Sequence, residues 1–163
     1  SLPYFSTYVE HTDDLVWNIV ALIMFKDRLQ EYHDANKISA HNLIHKVLGF
    51  LTDNLIPKEL NDGTHKGLDL FKNHKVIFAG KNFSSFDRTF LNALPRGDWL
   101  KQVSSHRSFD PGSMYFQLGD TQLPSTEACM RRAGIDGDVS HRALDDARNV
   151  IRLIRFKHGI SIN

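Results

Sequence analysis

Two short stretches hold residues whose types and spacing can do chemistry. The first, Gly80-Lys81-Asn82-Phe83-Ser84-Ser85-Phe86-Asp87, directly follows the apolar run Lys75 to Ala79. In an open α/β sheet, ligands sit beyond the carboxyl ends of the strands, so Asp87 in the turn after such a strand points into the crevice. The second stretch, Ser140-His141-Arg142-Ala143-Leu144-Asp145-Asp146-Ala147, opens the last helical segment. His141 lies just ahead of that helix and Asp146 about a turn inside it. Asp146 is three residues beyond Ala143 and four before Val150, beside the apolar stripe rather than on the outer face. A carboxylate there costs free energy unless something positive meets it, and a metal ion would do so.

Together these stretches resemble the second and third motifs of the DEDDh-type 3'-5' exonucleases, the group that includes proofreading exonucleases, RNase T and oligoribonuclease. Asn82 and Asp87 match Asn-x-x-x-x-Asp, and His141, Ala143, Asp146 and Ala147 match His-x-Ala-x-x-Asp-Ala. Arg107, Asp110 to Ser113 and Cys129 to Gly134 also resemble the stretch between those motifs. The likeness covers Val76 to Ile154, about half the chain, with weaker echoes at Tyr8-Val9 and Ala21 to Met24.

The resemblance implies an α/β, RNase H-like mixed sheet flanked by helices, in a single domain over residues 1–163. It implies two divalent cations, Mg²⁺ or Mn²⁺, roughly 3.5–4 Å apart across the scissile phosphate. Asp87 and Asp146 would hold metal, with Asp145 a solvated neighbour, and His141 would serve as general base. Asn82 and Phe83 would bind substrate, the 3' end of single-stranded DNA or RNA. The family's first motif, an Asp-x-Glu ending the first strand, is not found. The stretch Tyr4 to Val9 looks like the family's third strand, so the first two strands and their acids are expected upstream of Ser1, which is not a Met. A domain without them would leave backbone groups unpaired. The alternative is a catalytically degenerate module that binds nucleic acid or serves assembly.

Each of these residues also has an ordinary explanation. Asp87 alone is a carboxylate favoured at a helix start, and His141 alone is a surface or capping histidine. Phe86 and Phe90, four apart on a helix, read as core, which leaves Phe83 as the ring to stack on a base. Lys81, Arg88, Arg107, Arg131 and Arg132 can meet phosphates, though surface cations are usually just solvated. His41-Asn42-Leu43-Ile44-His45 has the histidine spacing of a zinc-protease helix, but Asn42 stands where the general-base Glu belongs.

The elements that must position this chemistry alternate. Tyr4 to Val9 reads as a strand, and Leu15 to Tyr32 as partly helical. Ser39 to Leu55 reads as a surface helix with Leu43, Ile44, Val47, Leu48, Leu51 and Leu55 on one face, capped by Ser39 or Asn42 and ended by Pro57. Asn61 to Lys75 is a loop or short turn. Lys75 to Gly80 is a buried central strand, Phe83 to Leu94 a helix capped by Ser84 or Ser85, and Val103 to Phe109 a strand. A helix starts at Pro124 to Glu127 and closes at Gly134. The last runs from Ala143 to Lys157 with Ala143, Ala147, Val150, Ile151 and Ile154 inward.

Composition sets the outer bounds. The 163 residues are 41 % hydrophobic and 24 % charged, which suits a globular domain and not a disordered chain. Twenty basic against nineteen acidic residues give a net charge of +1, so bulk charge does not announce a nucleic-acid partner. Cys129 is the only cysteine, which excludes an intrachain disulfide. With no apolar run near the roughly 18–20 residues of a membrane span and no signal-peptide pattern, the expectation is a cytoplasmic protein without a membrane partner.

Overall fold

A computed structural model of the chain describes residues 6, 8–9, 31, 34–56, 67–72, 75–95, 98–137, 139 and 142–161. The chain divides into two compact units, Ser1–Leu70 and Phe71–Asn163. Both mix helix with short parallel strand pairs.

In the first unit, β1 (Tyr8–Val9) pairs in parallel with β2 (Lys37–Ile38). The expected strand from Tyr4 is shorter, since Ser6 lies outside it. The helix expected between Leu15 and Tyr32 and the stop at Pro57 fall almost wholly outside the described residues. Helix α1 (Ala40–Leu55) forms as its pattern dictates. Ser39, and not Asn42, is the cap: its Oγ accepts the Asn42 N–H at 3.3 Å. Ile44 and Leu51 are buried, but Leu55 is 53 % exposed. The chain becomes extended at Ile56, and that side chain takes the buried place instead. Gly67–Phe71 is a 3-10 turn within the segment expected to be loop.

In the second unit, β3 (Val76–Ala79) pairs in parallel with β4 (Ser104–Phe109), with an irregular register between Val76 and Phe78. Parallel strands need a crossover. It runs through α2 (Asp87–Ala93) and α3 (Trp99–Val103). The reading of β3 as a buried central strand is corrected: its side chains alternate and Ile77 is 51 % exposed. Among the described residues β3 has one strand neighbour, β4.

Helix α2 also starts later than expected, at Asp87 rather than Phe83. Neither serine caps it, because both hydroxyls are engaged elsewhere. Ser84 Oγ meets Ser108 Oγ at 2.7 Å and Ser85 Oγ donates to the Asn82 carbonyl at 3.2 Å. Residues 81–86 wind as turns around Asn82, whose φ is 58°. Helix α3 was not foreseen; it buries Trp99, Leu100 and Val103, and the Trp99 indole donates to the Leu91 carbonyl at 3.3 Å.

After β4 come α4 (Pro111–Met114), α5 (Thr126–Ala133) and α6 (Ala143–Lys157). Helix α5 is delimited as read: Ser125 Oγ accepts the Ala128 N–H at 3.2 Å, and Gly134 ends it at φ 66°, where a Cβ would be strained. Tyr115, Cys129, Met130, Ala133, Ile135 and Leu153 form a buried cluster, tied by Tyr115 Oη donating to the Leu153 carbonyl at 2.9 Å. The inward stripe of α6 differs from the expected one. Asn149, Val150 and Leu153 are buried, whereas Ala143 and Ala147 are exposed and Ile151 is 40 % exposed. Packing on the Leu153 side turns the helix by part of a stripe width.

Candidate metal-binding cleft

That rotation decides where Asp146 goes. Asp146, Val150 and Leu153 stand at i, i+4 and i+7, so the carboxylate continues the line of buried side chains toward the start of α6. Its Oδ1 is buried and has no hydrogen-bond partner among the described residues. The neighbouring Asp145 pairs outward with Arg148 at 3.4 Å, so it is ion-paired rather than merely solvated.

Asp146 and Asp87 line the same open cleft of about 1190 Å³. The turn after β3 contributes Gly80, Lys81, Asn82 and Phe83, α2 contributes Asp87 and Phe90, and α6 contributes Ala143, Asp146, Ala147 and Val150. Asp87 is exposed, but partial desolvation in the cleft raises its carboxyl above the ordinary carboxylate value, opposed by a hydrogen bond from its own backbone amide. Among the described residues the cleft holds one orphaned carboxylate oxygen and one reluctant carboxyl, and the one cation lining it, Lys81, faces Asp110. Oxygen donors of this kind fit a hard divalent cation.

The turn is held from below by Asp110. Its Oδ2 accepts the Asn82 N–H at 2.8 Å and its Oδ1 the Gly112 N–H at 2.7 Å, while Lys81 Nζ lies 3.8 Å from Oδ1 and 3.2 Å from Asn82 Oδ1. The Asn82 side chain is therefore engaged, and exposed beside the cleft.

The chain matches no family model, no curated protein and no solved structure.

The aromatic expectation is reversed. Phe83 lines the cleft but is only 6 % exposed, stacked on Phe78 at 5.0 Å and 11°. Phe86 and Phe90, read as core, are 61 % and 59 % exposed and meet edge to face at 5.1 Å. The positive φ of Asn82 turns the chain so that Phe83 goes in and Phe86 comes out. Three of the five candidate phosphate cations are engaged by the fold. Arg88 donates to Ser104 Oγ at 2.8 Å and to the Ser105 carbonyl at 2.6 Å, Arg132 forks onto Asp120 at 2.6 and 2.7 Å, and Lys81 faces Asp110. Arg107 and Arg131 are exposed.

Sequence reading missed Glu127, a third acid lining the cleft, whose Oε2 accepts from Ser125 Oγ at 3.4 Å. Its signal was present only as an acid in the first turn of α5. Among the described residues no three His, Cys, Asp or Glu side chains come close enough to hold one ion. His141 lies outside the described residues. No helix among them is long and apolar enough to cross a membrane.

Proposed function

We propose that the chain carries the metal-binding part of a DEDDh-type 3'-5' exonuclease, built on an RNase H-like sheet, acting on 3' ends of single-stranded DNA or RNA. The observation that carries this reading is the buried Oδ1 of Asp146, without a hydrogen-bond partner among the described residues, in the cleft that Asp87 also lines. A desolvated carboxylate without a donor is costly, and a cation relieves that cost.

Asp87 and Asp146 would hold Mg²⁺ or Mn²⁺, which when bound supplies water activation and stabilises the leaving 3' oxygen. Two carboxylates are too few for two cations, and an Asp-x-Glu of the family's first motif would add the rest. Asn82 and the exposed rings of Phe86 and Phe90 receive the terminal nucleotides. His141 would take the proton from the attacking water, the role an imidazole can fill near neutral pH.

The test is release of 3' nucleotides from 3'-labelled single strands, with and without chelator. In a chain that includes the Asp-x-Glu motif, Mg²⁺- or Mn²⁺-dependent release is expected and Asp146→Ala should abolish it; undiminished release by that variant removes the assignment. A second reading, a non-catalytic nucleic-acid-binding module, is favoured by the lack of a three-ligand group among the described residues. Strand binding that chelator leaves unchanged, without release, would select it.

A further inference from the structure

A different pair of side chains in the first unit has the geometry of a chelate. His41 and His45 stand four apart on α1, both exposed, with ring centroids 5.1 Å apart and planes at 66°. Their Nε2 atoms are 3.4 Å apart, each the hydrogen-bond partner of the other. In a tetrahedral shell with metal–nitrogen bonds of about 2.0–2.1 Å, two ligand nitrogens lie roughly 3.3–3.4 Å apart. We propose that His41 and His45 clamp one zinc-, nickel- or copper-class ion on the exposed face of α1, with water completing the shell.

The helix backbone is already set for this. Ser39 caps it and Ile44 and Leu51 anchor it, so both imidazoles are presented at a fixed spacing. Neutral imidazole prefers borderline transition ions, whereas the carboxylates of the cleft prefer Mg²⁺ or Mn²⁺. The histidine pair therefore favours Ni²⁺, Cu²⁺ or Zn²⁺ over Mg²⁺ and Mn²⁺. Asn42 stands where a hydrolytic zinc helix has its Glu, so the clamp binds without supplying a base.

Calorimetric titration of the full chain with Ni²⁺ and Zn²⁺ tests the site. Because the sequence holds nine histidines, the decisive control keeps their number and changes their spacing. In the double variant His45→Ala/Lys46→His the second imidazole moves to i+5, away from the first. Wild type should show a saturable site that depends on both imidazoles. His41→Ala, His45→Ala and the spacing variant should each weaken it roughly a hundredfold, the loss expected when an intramolecular second ligand is removed. All three changes fall on the exposed helix surface, and circular dichroism before titration confirms the fold. Affinity in the spacing variant equal to wild type, or no saturable site in wild type, overturns the proposal.

Discussion

The carboxylate of Asp110 accepts the backbone N–H of Asn82 at 2.8 Å, so the end of β4 fixes the turn that leaves β3. Asn82 pays a conformational penalty at φ 58°, of order 1 kcal/mol for a non-glycine residue, and the Asp110 bond offsets it. The same side chain caps α4 through the Gly112 N–H. Asp110→Ala removes both acceptors and should cost about 1–3 kcal/mol in urea unfolding. If the proposed function holds, it should also lower 3' nucleotide release, because Asp87 follows the released turn. A loss below about 0.5 kcal/mol would show that the turn holds itself.

Phe86 and Phe83 should behave oppositely. Phe86→Ala and Phe90→Ala should leave stability nearly unchanged but, on the proposed function, weaken single-strand binding by about 1–3 kcal/mol per lost base stack. Phe83→Ala should destabilise the fold by about 3–5 kcal/mol through the cavity it leaves against Phe78. Paired thermal melts and strand-binding titrations separate the two. If Phe86→Ala unfolds the protein, the assignment of the inward and outward rings is reversed.

Partial desolvation holds the Asp87 carboxyl above its ordinary pKa, so the native chain takes up that proton more readily than the unfolded chain. Ionised Asp87 therefore costs stability at pH values above its folded pKa, and the cost disappears below the unfolded value of about 3.9. Without metal, Asp87→Asn should melt higher than wild type at pH 7 and level with it near pH 3. Added Mn²⁺ should raise the wild-type Tm and not that of the variant.

Asp120 titrates in the other direction. The Arg132 guanidinium and the Gln117 N–H hold its carboxyl down at about 2. Its contribution is complete above the unfolded pKa of about 3.9 and is lost as pH falls toward 2. Asp120→Asn should lower stability at pH 7 and flatten the pH dependence between about 4 and 2. A stability curve with the wild-type slope in that window would contradict the pairing.

The parts legible in the sequence were those decided by near neighbours. Ser125 and Gly134 bracket α5 because a hydroxyl and a left-handed glycine act within one turn, and α6 spans Ala143–Lys157 as its pattern indicates. What misled was decided at long range. Ser84 looks like a helix cap until Ser108, on the neighbouring strand, takes its hydroxyl. Leu153 was left out of the α6 stripe because its partners, Tyr115 and the α5 residues, are distant in sequence. The periodicity that put Phe86 and Phe90 inside ignored the Asn82 turn, which no spacing rule contains. Asp87 and Asp146 were picked out by spacing, and both line one cleft; the role of Asp110 beneath them is carried by hydrogen bonds that sequence does not display.

The most direct measurement is Mn²⁺ binding by calorimetry at pH 7 to wild type and Asp146→Asn. Asparagine keeps the shape and removes the charge beside the buried Oδ1, so the variant should fold at least as stably as wild type. Wild type should bind Mn²⁺, and the substitution should eliminate that binding. Equal Mn²⁺ affinity in both proteins would contradict it, because the orphaned Asp146 oxygen would then not be a metal ligand.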